Sequence, residues 1–114
     1  MKKIIYTPDA SDKLRTINRG ILLEYGSKKA KEIVGGITST IRRLEDNEQM
    51  GSSVARMFGI ETDYRYIYTL KNYVFYRIER ECIKIINIYN EKEDFMRLLF
   101  GIETVTDEDV DEYS

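Results

Sequence analysis

The sequence has no histidine, no tryptophan, one cysteine, one proline and seven glycines in 114 residues. Without histidine, most zinc-site templates, the Ser–His–Asp triad and the commonest general base are excluded. Any catalysis would have to run on Lys, Arg, Tyr, Asp or Glu. The lone Cys82 cannot close an internal disulfide, which fits a reducing cytoplasm. With no histidine to activate it, Cys82 reads as a small buried filler at the start of an apolar run. So little Gly and Pro excludes collagen-like and linker-like chains. No apolar run approaches the roughly 20 residues that a membrane-spanning helix needs. At the start, MKKIIY, the apolar run is only Ile4, Ile5 and Tyr6, too short for a signal peptide, so export is not expected.

What remains is a chain with 42% apolar and 33% charged residues, which suits one globular domain. The net charge is −2, unevenly placed. The stretch 102–114 carries Glu103, Asp107, Glu108, Asp109, Asp111 and Glu112 and no base. Without those six, 18 basic residues face 14 acidic ones, so the body 1–101 stands at +4. The sequence thus divides into one domain, 1–101, and an acidic tail, 102–114, expected to be a solvated, flexible end. A sharper reading makes the tail a screen for a basic face of its own domain; removing it should then raise activity.

Lys2–Tyr6 is a strand candidate. Thr7-Pro8-Asp9 reads as a helix start, with Thr at the N-cap and Pro at the first helical position. Ala10, Leu14, Ile17, Ile21 and Tyr25 recur at spacings of three and four, with Leu22 widening the stripe. Gly26 ends this helix and Ser27 can cap the next, expected over about Lys28–Asp46 with a stripe of Ala30, Ile33, Val34, Ile37, Ile41 and Leu44. Gly35-Gly36 inside it implies close backbone packing. Asn47–Asp63 lacks a period and is expected to be a long loop, with one helical turn at Ser53–Met57.

Tyr64–Leu70 alternates Tyr64, Tyr66 and Tyr68 against Arg65, Ile67 and Thr69. A turn at Lys71-Asn72, a strand Tyr73–Glu79, a turn at Glu79-Arg80-Glu81 and a strand Cys82–Tyr89 complete an antiparallel meander. Asn90–Phe100, with Phe95, Met96, Leu98, Leu99 and Phe100, reads as a short terminal helix capping the sheet edge. The expected fold is α+β in the order β-α-α-β-β-β-α, with an antiparallel sheet packed on an N-terminal helix hairpin.

Three stretches carry a family resemblance: IIYTPDASDKL, the helix hairpin after it, and NYVFYRIERECIKIINIYNEKEDFMRLLFG. The last joins Phe75-Tyr76-Arg77, the aliphatic run Ile83–Ile88 and Asp94-Phe95-Met96-Arg97-Leu98-Leu99. The pattern resembles the RelE/ParE superfamily of bacterial type II toxins, found in toxin–antitoxin (plasmid stabilisation) systems. The resemblance covers about Lys2–Gly101. It implies a growth-inhibiting toxin in the cytoplasm, neutralised by a cognate antitoxin. Operator DNA is reached only through the antitoxin complex, and no cofactor, metal or membrane is involved.

Two activities occur in that superfamily. RelE-like members are ribosome-dependent mRNA endonucleases, and ParE-like members poison DNA gyrase. Cleavage through a 2′-hydroxyl needs a base, cationic stabilisation of the phosphorane and an acid. RelE-like members carry two alternating basic residues on the first meander strand; the match here is Arg65 and Ile67. The Tyr-Arg of the next strand matches Tyr73 and Val74. The arginine-rich link matches Tyr89-Asn90-Glu91-Lys92-Glu93. The set is depleted, and a +4 body gives weak support for binding ribosomal RNA. The resemblance therefore implies the ParE-like branch, acting on gyrase and not as an enzyme. A RelE-like endoribonuclease acting on ribosome and mRNA is the alternative. A non-toxic protein-binding module, docking through a sheet edge or apolar helix, is the reading from another class.

If RelE-like, Arg65, Arg77 and Tyr89 would be catalytic. For target or antitoxin binding the candidates are Arg65, Arg77, Tyr89, Lys92 and Arg97, set near the sheet face not covered by the helix hairpin. Each has a plainer reading. Arg65 is an exposed cation, Arg77 an ion pair with Glu79 or Asp94, Tyr89 a sheet-end aromatic, Lys92 solvated and Arg97 ion-paired. Tyr64, Tyr66 and Tyr68 read as sheet packing, not base stacking.

Overall fold

The computed structural model describes residues 2–103. The acidic stretch 104–114 lies outside them. The element order is β1 (Lys3–Tyr6), α1 (Pro8–Tyr25), α2 (Ser27–Arg42), a 3₁₀ turn (Arg43–Glu45), β2 (Ser52–Ser53), α3 (Val54–Phe58), β3 (Arg65–Thr69), β4 (Asn72–Ile78), β5 (Cys82–Asn90) and α4 (Phe95–Phe100). The sheet order is β1-β5-β4-β3-β2. The α+β class, the helix hairpin, the antiparallel β3-β4-β5 meander and the short last helix stand as expected. β1 joins in parallel beside β5, and β2 adds a fifth strand.

Thr7 explains how β1 becomes α1. Its Oγ1 accepts from the Ala10 N–H at 3.1 Å, an N-cap ahead of Pro8 at the first helical position. The same hydroxyl donates to the Ile86 carbonyl at 2.7 Å, and the Thr7 N–H donates to the Ile85 carbonyl at 3.0 Å. One residue thus ends a strand, starts a helix and grips β5.

That grip falls on a β-bulge. Phe75 pairs with Asn87 but Tyr76 pairs with Ile85, so Ile86 is the extra residue on β5. The bulge breaks the two-residue alternation. Ile83, Ile85 and Ile88 face the helix hairpin, whereas Ile86 and Tyr89 face the opposite side.

Both faces of the sheet are covered. On the first, Ala10, Ile37, Ile41 and Leu44 pack against Ile67, Val74, Tyr76, Ile83, Ile85 and Ile88. On the second, α3 and α4 bring Phe58, Phe95, Leu99 and Phe100 onto Tyr64, Tyr66, Tyr73, Phe75 and Tyr89. The last helix therefore lies on a face of the sheet and not along its edge. Its N-cap is Asp94, which accepts from the Arg97 N–H at 3.3 Å. Phe75 is the hub of this layer, with ring centroids of Phe95 at 5.2 Å and Phe100 at 5.8 Å.

Several boundaries differ from expectation. The second helix starts at Ser27, with Gly26 as its N-cap, and tightens into a 3₁₀ turn after Arg42. The segment read as a long loop contains β2 and α3. Ser53 caps α3 by accepting from the Arg56 N–H at 3.3 Å, close to the expected helical turn. The β3–β4 turn uses Leu70 and Lys71, with φ of 48° and 64°, and not Lys71-Asn72. Asn72 is buried and donates to the Leu70 carbonyl at 2.8 Å. Cys82 is half-buried, not core: it donates to Glu79 Oε1 at 3.3 Å at the open start of β5.

Candidate functional site

The strand alternation of β3 is as expected, but the helix hairpin packs on the Arg65–Ile67 side, and α3 and α4 cover the tyrosine side. Arg65 pairs across strands with Tyr76, and both point to the side of the helix hairpin. Arg65 Nη2 donates to the Gly51 carbonyl at 2.5 Å and to the Gln49 carbonyl at 3.2 Å. Arg65 therefore does not share a face with Arg77 and Tyr89. It pins the segment before β2 to the sheet.

Tyr89 does lie on the second face, but it is only 6% exposed. Its hydroxyl accepts from Asn87 Nδ2 at 3.1 Å. Burial pushes the phenol above its usual range, against the hydrogen bond from Asn87. A proton donor needs the opposite. Lys13 Nζ sits 5.0 Å from the ring centroid and also pairs with Glu93 at 2.8 Å. Tyr89 is thus held between α1 and the aromatic layer.

Arg77 is exposed beside that layer. Its Nε lies 3.3 Å from Asp63 and 4.0 Å from Glu79, and Lys84 reaches Glu79 at 3.5 Å. The Cys82 thiol, then Lys84 and Arg77, hold the Glu79 carboxyl below its usual range. Burial and the Glu79 partner push the Cys82 thiol up, which makes it a poorer nucleophile. Lys92 is exposed, and its backbone N–H donates to Asn90 Oδ1 at 3.0 Å. Arg97 pairs within α4's first turn with Asp94 at 3.7 Å. Arg77 and Tyr89 share a face, Lys92 and Arg97 lie in the link and helix after β5, and Arg65 is on the other side. The five candidates therefore do not converge on one open surface. Among the described residues no group of His, Cys, Asp or Glu could hold a metal ion, and no helix is long and apolar enough to cross a membrane.

Two surfaces escaped the sequence reading. The first is an apolar groove of about 490 Å³, lined by Ile17, Gly20, Ile21, Tyr25, Ile33 and Leu70, with Glu24, Lys29 and Lys71 at its polar rim. Here the tip of the helix hairpin stands away from the β3–β4 turn. Tyr25, one of the lining residues, is 65% exposed. The end of the α1 stripe was legible, but not that the sheet stops short of it. The second is a cleft at the β2 edge, lined by Ser52, Ser53, Arg56, Met57 and Arg65. Arg56 carried no signal, because the single helical turn expected at Ser53–Met57 is too short to show a face.

Comparison with curated proteins finds no match. A solved structure described as the chromosomal ParDE TA system from P. aeruginosa shares the fold. Its TM-score is 0.66 at 19% identity, over 79% of this chain and 96% of that one. The family model described as ParE toxin of type II toxin-antitoxin system, parDE, matches residues 4–95. The match spans every element from β1 through the meander to the start of α4, and the chain belongs to this family of type II toxins.

Proposed function

We propose that this toxin inhibits growth by binding DNA gyrase, without cleaving RNA, and that a cognate antitoxin neutralises it. The observation that carries the reading is the filled second face of the sheet. A nuclease of this fold needs that face open, with an acid, a base and cations on it. Here α3 and α4 close it with aromatic side chains, and Tyr89 is buried in that layer with its hydroxyl bonded to Asn87. Binding to a protein target needs no such set.

The antitoxin reading is supported by the apolar groove at the hairpin tip. Exposed apolar surface of this kind, rimmed by charge, suits a helix or extended segment of a partner. The ParDE assembly named for the structural neighbour is in keeping with a partner of that kind.

The test is induced expression of the chain alone in a bacterial host, scoring growth, the DNA-damage response and mRNA integrity together. Filamentous arrest with a DNA-damage response is the expected result, and purified protein should inhibit supercoiling by purified gyrase. Arrest with cut mRNA would replace this reading with the RelE-like one. Normal growth would favour a non-toxic binding module.

A further inference from the structure

We propose that the acidic stretch 104–114 of this chain docks in the Arg56–Arg65 cleft of its own domain and masks it. The cleft has a volume of about 410 Å³. It presents two guanidinium groups, two serine hydroxyls and the Met57 side chain, and no acid lines it. Arg43 lines the adjoining hollow. Among the described residues, Arg43, Arg56 and Arg65 make no ion pair, and they stand close together. Arg65 Nε is buried and has no hydrogen-bond partner. The cleft and its adjoining hollow thus gather three arginines with no carboxylate on the cleft wall.

The occupant follows from charge and from where the described chain ends. Residues 104–114 read TVTDEDVDEYS: Asp107, Glu108, Asp109, Asp111 and Glu112 with no base, and Val105, Val110 and Tyr113 to lie against Met57. The chain leaves α4 at Gly101, directly after Phe100. Phe100 packs on Tyr64 at 6.0 Å between ring centroids, and Tyr64 immediately precedes Arg65. The Tyr64 carbonyl accepts from the Val54 N–H at 3.1 Å, at the corner where β2 becomes α3. The end of α4 therefore lies against the residue that precedes Arg65 of the cleft. Eleven residues extend at most about 40 Å, enough to cross it from that point. Lys28, Lys29 and Lys31 lie toward the opposite end of the sheet, beyond the β3–β4 turn, and Arg77 and Lys84 already have carboxylate partners. The inference is independent of which cellular target the toxin has.

The test places a nitroxide on the tail in the full chain, as Ser114→Cys with Cys82→Ala, and reads ¹⁵N amide signals of dilute protein. Signals of Ser52–Met57 and Arg65 should be broadened, and should recover in 1 M salt, where the screening length falls to about 3 Å. Arg56→Glu should abolish the broadening while the rest of the spectrum is unchanged. No broadening, broadening centred on Lys28–Lys31, or broadening that scales with protein concentration and so reports a second copy would each overturn the proposal.

Discussion

Leu70 lies on the bare backbone of Gly36: a Cβ placed on that glycine would come within 2.6 Å of Leu70 Cδ1. Leu70 holds a positive φ of 48°, unusual for a branched side chain, and reaches α2 from that conformation. Gly35 has nothing within 4 Å of the same position. Of the glycine pair, one receives a side chain and the other is only a weak link in the helix. Gly35→Ala should therefore stabilise the protein by about 0.5–1 kcal/mol. Gly36→Ala should gain less, and Gly36→Ala with Leu70→Ala should recover the missing part. Thermal midpoints of the three variants check this; equal gains at both glycines would contradict it.

Tyr76 carries a buried link on which the β2 side of the sheet depends. Its hydroxyl donates to the Glu48 carbonyl at 2.8 Å and accepts from the Gly51 N–H at 3.1 Å. Tyr76→Phe strands both backbone groups and should cost about 1–3 kcal/mol. Gly51→Ala should cost a similar amount, about 1–3 kcal/mol, from overpacking. The clash there is unavoidable, since a Cβ would meet the Tyr66 carbonyl at 2.4 Å and the Tyr76 hydroxyl at 2.7 Å. Urea unfolding of each variant measures both; a wild-type midpoint for Gly51→Ala would show that the segment shifts freely.

Alkaline pH should unfold the protein through its tyrosines. Burial raises the phenol of Tyr6, opposed by Arg42, and that of Tyr89, opposed by Asn87. In the unfolded chain both titrate near pH 10, so the folded state holds its protons longer. Stability is then independent of these two groups below about pH 9 and falls as pH rises through 10 toward their folded values. The urea midpoint should drop between pH 8 and pH 11, and Tyr89→Phe should drop less. An equal drop in the variant would mean that Tyr89 titrates normally.

Growth inhibition should survive loss of the Tyr89 hydroxyl. A general acid at this position would contribute roughly 10²–10⁴-fold to an RNA cleavage rate. A buried phenol hydrogen-bonded to Asn87 contributes to packing alone. Tyr89→Phe should arrest growth at the inducer concentration that wild type needs, and a loss of a hundredfold or more would restore the nuclease reading.

Tyr25, 65% exposed in the hairpin groove, separates toxicity from neutralisation. Tyr25→Glu alters a mostly exposed side chain, so the fold and the arrest should persist. It places a charge where an apolar partner segment would lie, and antitoxin affinity should fall by about tenfold or more. Titration of antitoxin against each protein reads the difference; identical curves would move the antitoxin to another surface.

Short-range patterns in the sequence determined the two N-terminal helices, the Thr7-Pro8 start and the three-strand meander. Each depends on neighbours within a few residues: a cap, a spacing of three and four, an alternation of two. The alternation of β3 also placed Arg65 opposite Tyr64 and Tyr66. Only tertiary structure decided which of those faces meets the helix hairpin, because both are apolar enough to be buried, and both are. The bulge at Ile86 has no local signature; it forms where β1 ends and Thr7 seizes the Ile85 and Ile86 carbonyls. That single extra residue turns Tyr89 to the face away from the hairpin, where α3 and α4 cover it. The two-residue strand Ser52–Ser53 is equally silent alone, since two residues become a strand only when Tyr66 and Arg65 lie alongside.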